Sequence, residues 1–222
     1  MKSKERFPVK LGLYTLGLCF YAWFVCLMTR AAAGISPITS FPYLLTEITG
    51  LTLGTTQLIV NSLLVLLQVT LMGKEFDKRQ LLQLVASLGF SVFIDVLMPS
   101  TAFLSAGGKG LPMQIAVFLL AMLGMAIGLS LMSMCKLILL PGDGLAQVLA
   151  YKLKWEFGQA KVLGDCLFVS STIVVSLLVL HRIVGIQWGT VVAAVGLGQI
   201  VRRVSRVLAP VYQRLVVAES DG

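Results

Sequence analysis

From Met113 to Cys135 the chain runs without one charged side chain. A helix of about 20 apolar residues matches the hydrocarbon thickness of a bilayer. Backbone polar groups in lipid must also be paired within the segment, so a run like this one folds as a helix. Five other stretches are also long and apolar: Leu11–Thr29, Leu53–Met72, Leu81–Met98, Val162–Leu180 and Ile183–Val201. With 57% hydrophobic and 13% charged residues and a mean hydropathy of +0.91, too little charged surface remains for a soluble domain. The expected fold is an all-α membrane protein of six transmembrane helices, a single polytopic domain over residues 1–222, with the lipid bilayer as its first partner.

The net charge of +8 would suggest nucleic acid in a soluble protein. In a polytopic chain it reads as topology, because Lys and Arg collect in cytoplasmic loops, and no nucleic-acid partner is expected. Cys19, Cys26, Cys135 and Cys166 lie in or beside apolar runs without metal-ligand spacing, so they read as buried free thiols, and no metal or cofactor is called for. The N-terminal stretch up to Thr29 resembles a signal peptide, but Leu11–Thr29 is long enough to span and has a counterpart later in the chain.

That counterpart comes from a repeat at an offset of 104 residues. Pro37 falls on Pro141, Gly54 on Gly158, Leu27-Met28 on Leu131-Met132, Ala22 on Ala126, Leu63 on Leu167 and Val65 on Val169. Each half, about 11–98 and 113–201, reads as a long helix, a short Pro/Gly-broken segment and two further helices. The short segments are Pro37–Ile48 and Pro141–Trp155. If they do not cross, there are six spans in two inverted three-helix repeats with both termini cytoplasmic. Fifteen basic residues are then inside and three (Arg30, Lys109, Arg182) outside, against twelve and six for an eight-span alternative. The inverted model fits the positive-inside rule better. The short segments are then either re-entrant, with helix N-termini near the midplane as in many transporters, or flat interfacial helices.

The stretch from Ala31 to Thr55, the element Pro141-Gly142-Asp143-Gly144, and Trp188-Gly189-Thr190 followed by Gly196-Leu-Gly198 together resemble the bacterial YczE/YyaS/YitT-type integral membrane proteins, over about residues 10 to 208. The resemblance implies a multi-pass protein of the bacterial cytoplasmic membrane, transporter-like and of no known substrate. It also implies an acidic residue in the first broken segment. This chain has Thr39 there, in register with Asp143, and so departs from any mechanism that needs both carboxylates.

Ionisable groups inside spans are costly enough that each is a functional candidate. Asp143 is expected either to cap the second broken helix or to bind a cation or proton. Asp165 pairs with Lys161 four residues earlier or lines a solute path, and its repeat partner Asn61 serves packing or the same path. Asp95 and Gln199 are likewise in register, Asp95 reaching water at the outer surface. Thr39, Asn61, Asp143 and Asp165 are thus the candidate solute-binding residues, framed by Pro37, Pro141, Gly142 and Gly144. Gly124-x-x-x-Gly128 and Ser87-x-x-x-Ser91 suit close helix packing, as do Gly189 and Gly198, and they leave a homodimer open.

The expected function is secondary transport of a small solute between the two repeats. An anionic group suits the deep helix N-termini, and a proton or cation suits Asp143. A channel, or a regulatory or assembly partner of another membrane protein, is the alternative. The Gly142-Asp143 and Gly164-Asp165 pairs only faintly resemble intramembrane aspartyl proteases. The sole histidine, His181, has no positioned nucleophile, so the chain is not read as an enzyme.

Overall fold

A computed structural model describes residues 6–216; Lys2 and Lys4 of the basic N-terminus lie outside the described residues. The described residues contain no strand and form eight α-helices, with three short 3-10 helices between them: α1 (Phe7–Arg30), α2 (Pro37–Thr49), α3 (Leu53–Met72), α4 (Leu82–Leu97), α5 (Leu111–Cys135), α6 (Pro141–Leu153), α7 (Phe157–Leu180) and α8 (Trp188–Val216). Proline stands in the first turn of α1, α2, α5 and α6, where a missing N–H costs nothing. Five of these helices, α1, α3, α4, α5 and α7, are long and apolar enough to cross a membrane. The expected sixth span, Ile183–Val201, is displaced. Residues 181–187 form a non-helical connection, and the helix runs from Trp188 through Pro210 to Val216. Arg202, Arg203 and Arg206 fall inside it, so α8 is not among the five.

The core is the seam between α1 and α5. A Cβ at Gly124 would collide with the Phe24 ring, and one at Gly128 would lie 2.7 Å from the Tyr21 backbone nitrogen. The Gly-x-x-x-Gly motif therefore packs within one chain. Gly17 meets Leu131 while Phe24 meets Gly124, so the two helices run antiparallel. Helix α4 runs parallel to α1, with Tyr21 stacked on Phe90 and the Cys26 thiol donating to the Ile94 carbonyl. Helix α8 runs parallel to α5, where Gly189 meets Phe118 and the Ser130 hydroxyl donates to the Val201 carbonyl. Gly189 thus serves packing as expected. Gly198 does not, since nothing lies within 4 Å of a Cβ placed there.

Most packing pairs exchange under the 104-residue register. Helix α1 packs on α4 as α5 does on α8, α2 on α7 as α6 on α3, and α2 on α3 as α6 on α7. One pair breaks the rule: α3 and α4 pack closely, whereas α7 and α8 barely touch. The start of α1 meets the end of α8, the Arg6 N–H donating to the Val216 carbonyl at 3.0 Å.

Candidate functional site

The two short helices begin in the middle of the molecule. After α1 the chain turns inward through Ala31–Ser36, and Pro37, Thr39 and Ser40 are buried, whereas the far end of α2 reaches Arg182 through Glu47 at 3.7 Å. Helix α6 does the same from the opposite end. Pro141, Gly142 and Gly144 are buried, and Lys152 near its C-terminus pairs with Glu75 at 3.0 Å. The two N-termini abut: a Cβ at Gly142 would collide with Ile38 Cδ1. Residues 38 and 142 occupy the same repeat position, so each half meets its own counterpart here.

A small cavity of about 120 Å³ sits between the ends, lined by Thr39, Asn61, Asp143 and Asp165, the four residues singled out from sequence, together with Tyr21, Ser36, Gln57 and Lys161. The charge count puts Lys161 among the cytoplasmic basic residues, but helix α7 begins at Phe157, one turn earlier than expected, and carries it into the cavity wall. Its ammonium lies 3.1 Å from Asp143 Oδ1 and 3.1 Å from Asp165 Oδ1, with the carboxylate side chains 20% and 13% exposed. Of the two roles expected of Asp143, the cap is not the one it takes. Leu140 holds the N-cap position with no side-chain bond, and Asp143 stands third in α6, where the positive end of the helix dipole still favours a carboxylate.

The opposite wall is a neutral copy of this triad. Gln57 occupies the repeat position of Lys161 and donates from its amide to Asn61 Oδ1 at 3.2 Å, with the same i, i+4 spacing as the Lys161–Asp165 ion pair. Thr39, the counterpart of Asp143, accepts from the Ser36 hydroxyl at 2.9 Å. Gln57 is 2% exposed, and its amide oxygen has no hydrogen-bond partner among the described residues. An unpaired buried polar atom of this kind costs free energy unless something binds it. The sequence points to Lys161 only as a partner of Asp165, and Gln57 goes unmarked. The signal is there all the same, because each stands four residues before a selected polar residue, in repeat register.

The frame around the cavity is also polar. Gln68 and Gln83, both fully buried, exchange side-chain amide bonds at 3.1 Å, and Gln68 donates to the Pro141 carbonyl at 3.1 Å. Gly144 fits under this pair; a Cβ there would come within 2.7 Å of it. The repeat equivalents of Gly144 and Gln68 are Ser40 and Thr172, which share a hydrogen bond of 2.9 Å. Each short helix is thus tied to the third helix of the other half. Asp95 does not simply reach water. It accepts from the Gly54 N–H at 2.8 Å and from the Thr52 hydroxyl at 2.7 Å, capping α3 from α4. Its counterpart Gln199 donates to the Val195 carbonyl of its own helix. His181 is exposed, ends α7 in a left-handed conformation and is not among the cavity-lining residues.

No curated protein and no solved structure matches this chain. A family of unknown function, DUF6198, matches residues 9–206, nearly the whole length. The chain is therefore a helical, membrane-type protein that belongs to the DUF6198 family.

Proposed function

We propose that the protein is a secondary transporter of a small solute, built as six spans in two inverted repeats with re-entrant α2 and α6. The observation that carries this reading is the small cavity in which two helix N-termini, entering from opposite ends, meet beside the Lys161–Asp143–Asp165 cluster. Fixed N–H groups and intramembrane charges at a repeat interface are the usual furnishing of a transporter site. A confined cavity of about 120 Å³ favours alternating access over a channel, which needs a continuous pore. The bond between Arg6 and Val216 supports α8 as the sixth crossing, since five crossings would put these two residues at opposite ends. The end they share carries Lys74, Lys78, Arg79, Lys136, Lys152 and Lys154, and by the positive-inside rule a basic end of this kind is the cytoplasmic one in a bacterial cell. The resemblance to YczE/YyaS/YitT-type proteins points the same way.

Two carboxylates against one ammonium leave the cavity with one negative charge. A cationic group on the solute, or a proton exchanged at the cluster, suits it better than the anionic group that bare helix N-termini would suggest. The test is access. With Cys19, Cys26, Cys135 and Cys166 replaced by Ser, single cysteines at positions 39, 57 and 143 are probed with an impermeant thiol reagent from each face. A transporter gives labelling at position 57 from either face, with a condition that raises one lowering the other. Simultaneous labelling from both faces indicates a channel, and no labelling from either face under any ionic or pH condition removes the transport reading.

A further inference from the structure

The halves differ most where α7 and α8 should mirror α3 and α4. In the first half Gly54 lets α3 sit against the Ser91 carbonyl and Asp95, and Gln68 binds Gln83. In the second half each of these locks is gone. Gly158 has nothing within 4 Å of a Cβ placed there, and Gln199 bonds to its own helix. Thr172, where Gln68 would be, is turned toward Ser40. The small Ser87 and Ser91, which let α4 pack closely, are replaced in register by Val191 and Val195, both strongly exposed.

The result is a cleft of about 450 Å³ between α7 and α8, walled by Val162, Val169, Ile186, Val191 and Val195, a volume in the range of small-molecule sites. At its inner edge Asp165 and Ala194 belong both to the cleft and to the central cavity. An exposed apolar cleft that ends on a half-buried carboxylate has two chemistries in line.

We infer that the solute is a cationic amphiphile that reaches the cavity sideways from the bilayer, its alkyl chain in the α7–α8 cleft and its ammonium at Asp165. The inference rests on the transport reading and deepens it by naming the substrate class. The choice of occupant follows from charge: Asp143 and Asp165 exceed Lys161 by one, so a single ammonium brings the cluster to neutrality, and the unpaired Gln57 amide oxygen accepts one of its N–H bonds once it enters. An acidic amphiphile or a second copy's apolar helix leaves that carboxylate excess unanswered.

The test uses the full chain in phosphatidylcholine vesicles and two spin-labelled probes of equal chain length, one an alkylammonium and one an alkyl sulfate. The motionally restricted fraction of each reports binding. The ammonium is expected to bind at least tenfold more tightly than the sulfate, Asp165→Asn to abolish the preference, and Ala194→Trp, which fills the junction, to displace the ammonium while the unfolding temperature is retained. Equal binding of the two probes, or ammonium binding unchanged in both variants, overturns the inference. So does a disulfide cross-link between two chains through Val191→Cys at full yield, which shows a second copy covering the cleft. Cysteine access at position 57 that still alternates between faces, with no amine preference, overturns the lateral route alone and leaves transport standing.

Discussion

Replacing Lys161 by Gln turns one residue of the charged wall into its neutral counterpart and leaves the rest in place. Asp143 and Asp165 are then two facing carboxylates without their shared cation. At an effective dielectric of about 20, each contact of 3.1 Å carries about 5 kcal/mol of Coulomb attraction before desolvation. Much of that is offset by the cost of bringing the charges out of water, and removing one partner of a buried cluster usually costs about 3–5 kcal/mol. The Lys161 side chain keeps 31% of its surface exposed, so solvent screening lowers the expected loss to about 2–4 kcal/mol. The control is the triple variant Asp143→Thr, Lys161→Gln, Asp165→Asn, which writes the Thr39–Gln57–Asn61 pattern into the second half. With no unpaired charge left it should regain most of the lost stability. Thermal or chaotrope unfolding in detergent micelles, followed by intrinsic tryptophan fluorescence, measures both. Two outcomes refute the account of the cluster as one electrostatic unit. One is a single variant that differs from the parent by no more than an ordinary surface substitution does, about 0.5 kcal/mol. The other is a triple variant no more stable than the single.

Three further outcomes follow from geometry. Gly142→Ala should destabilise by about 1–3 kcal/mol by forcing Ile38 from its place; Ile38→Ala should relieve most of that loss in the double variant, and the mutant cycle reads the coupling. Asp95→Ala removes the bonds to Gly54 and Thr52 and should lower stability by about 1–2 kcal/mol, seen as a lower unfolding midpoint, whereas Gln199→Ala, whose side chain bonds only within α8, should be near neutral. His181→Gly relieves a left-handed residue at φ 53° and should raise stability by about 1 kcal/mol, with unchanged cysteine labelling in the cavity.

The amino-acid sequence alone determined that the chain is helical and membrane-type, where most helices start and stop, and which polar residues share a repeat position. These properties are local or periodic. Leu53–Met72 is recovered to the residue because Thr52, whose hydroxyl accepts from the Thr55 N–H, and Gly73 punctuate it, and α2 and α6 begin at Pro37 and Pro141 because proline suits a first turn. The α8 bounds are not legible in the same way, since hydropathy fades at Arg202 while the helix continues against α5. Only the tertiary structure decided that Asp143 faces Lys161 instead of capping its own helix, that Asp95 caps α3 from α4, and that α7 stands apart from α8. Such pairings depend on how helices approach in three dimensions. Asp143 and Lys161 stand on different helices, and neither carries a mark of the other in the sequence until α6 and α7 are folded together.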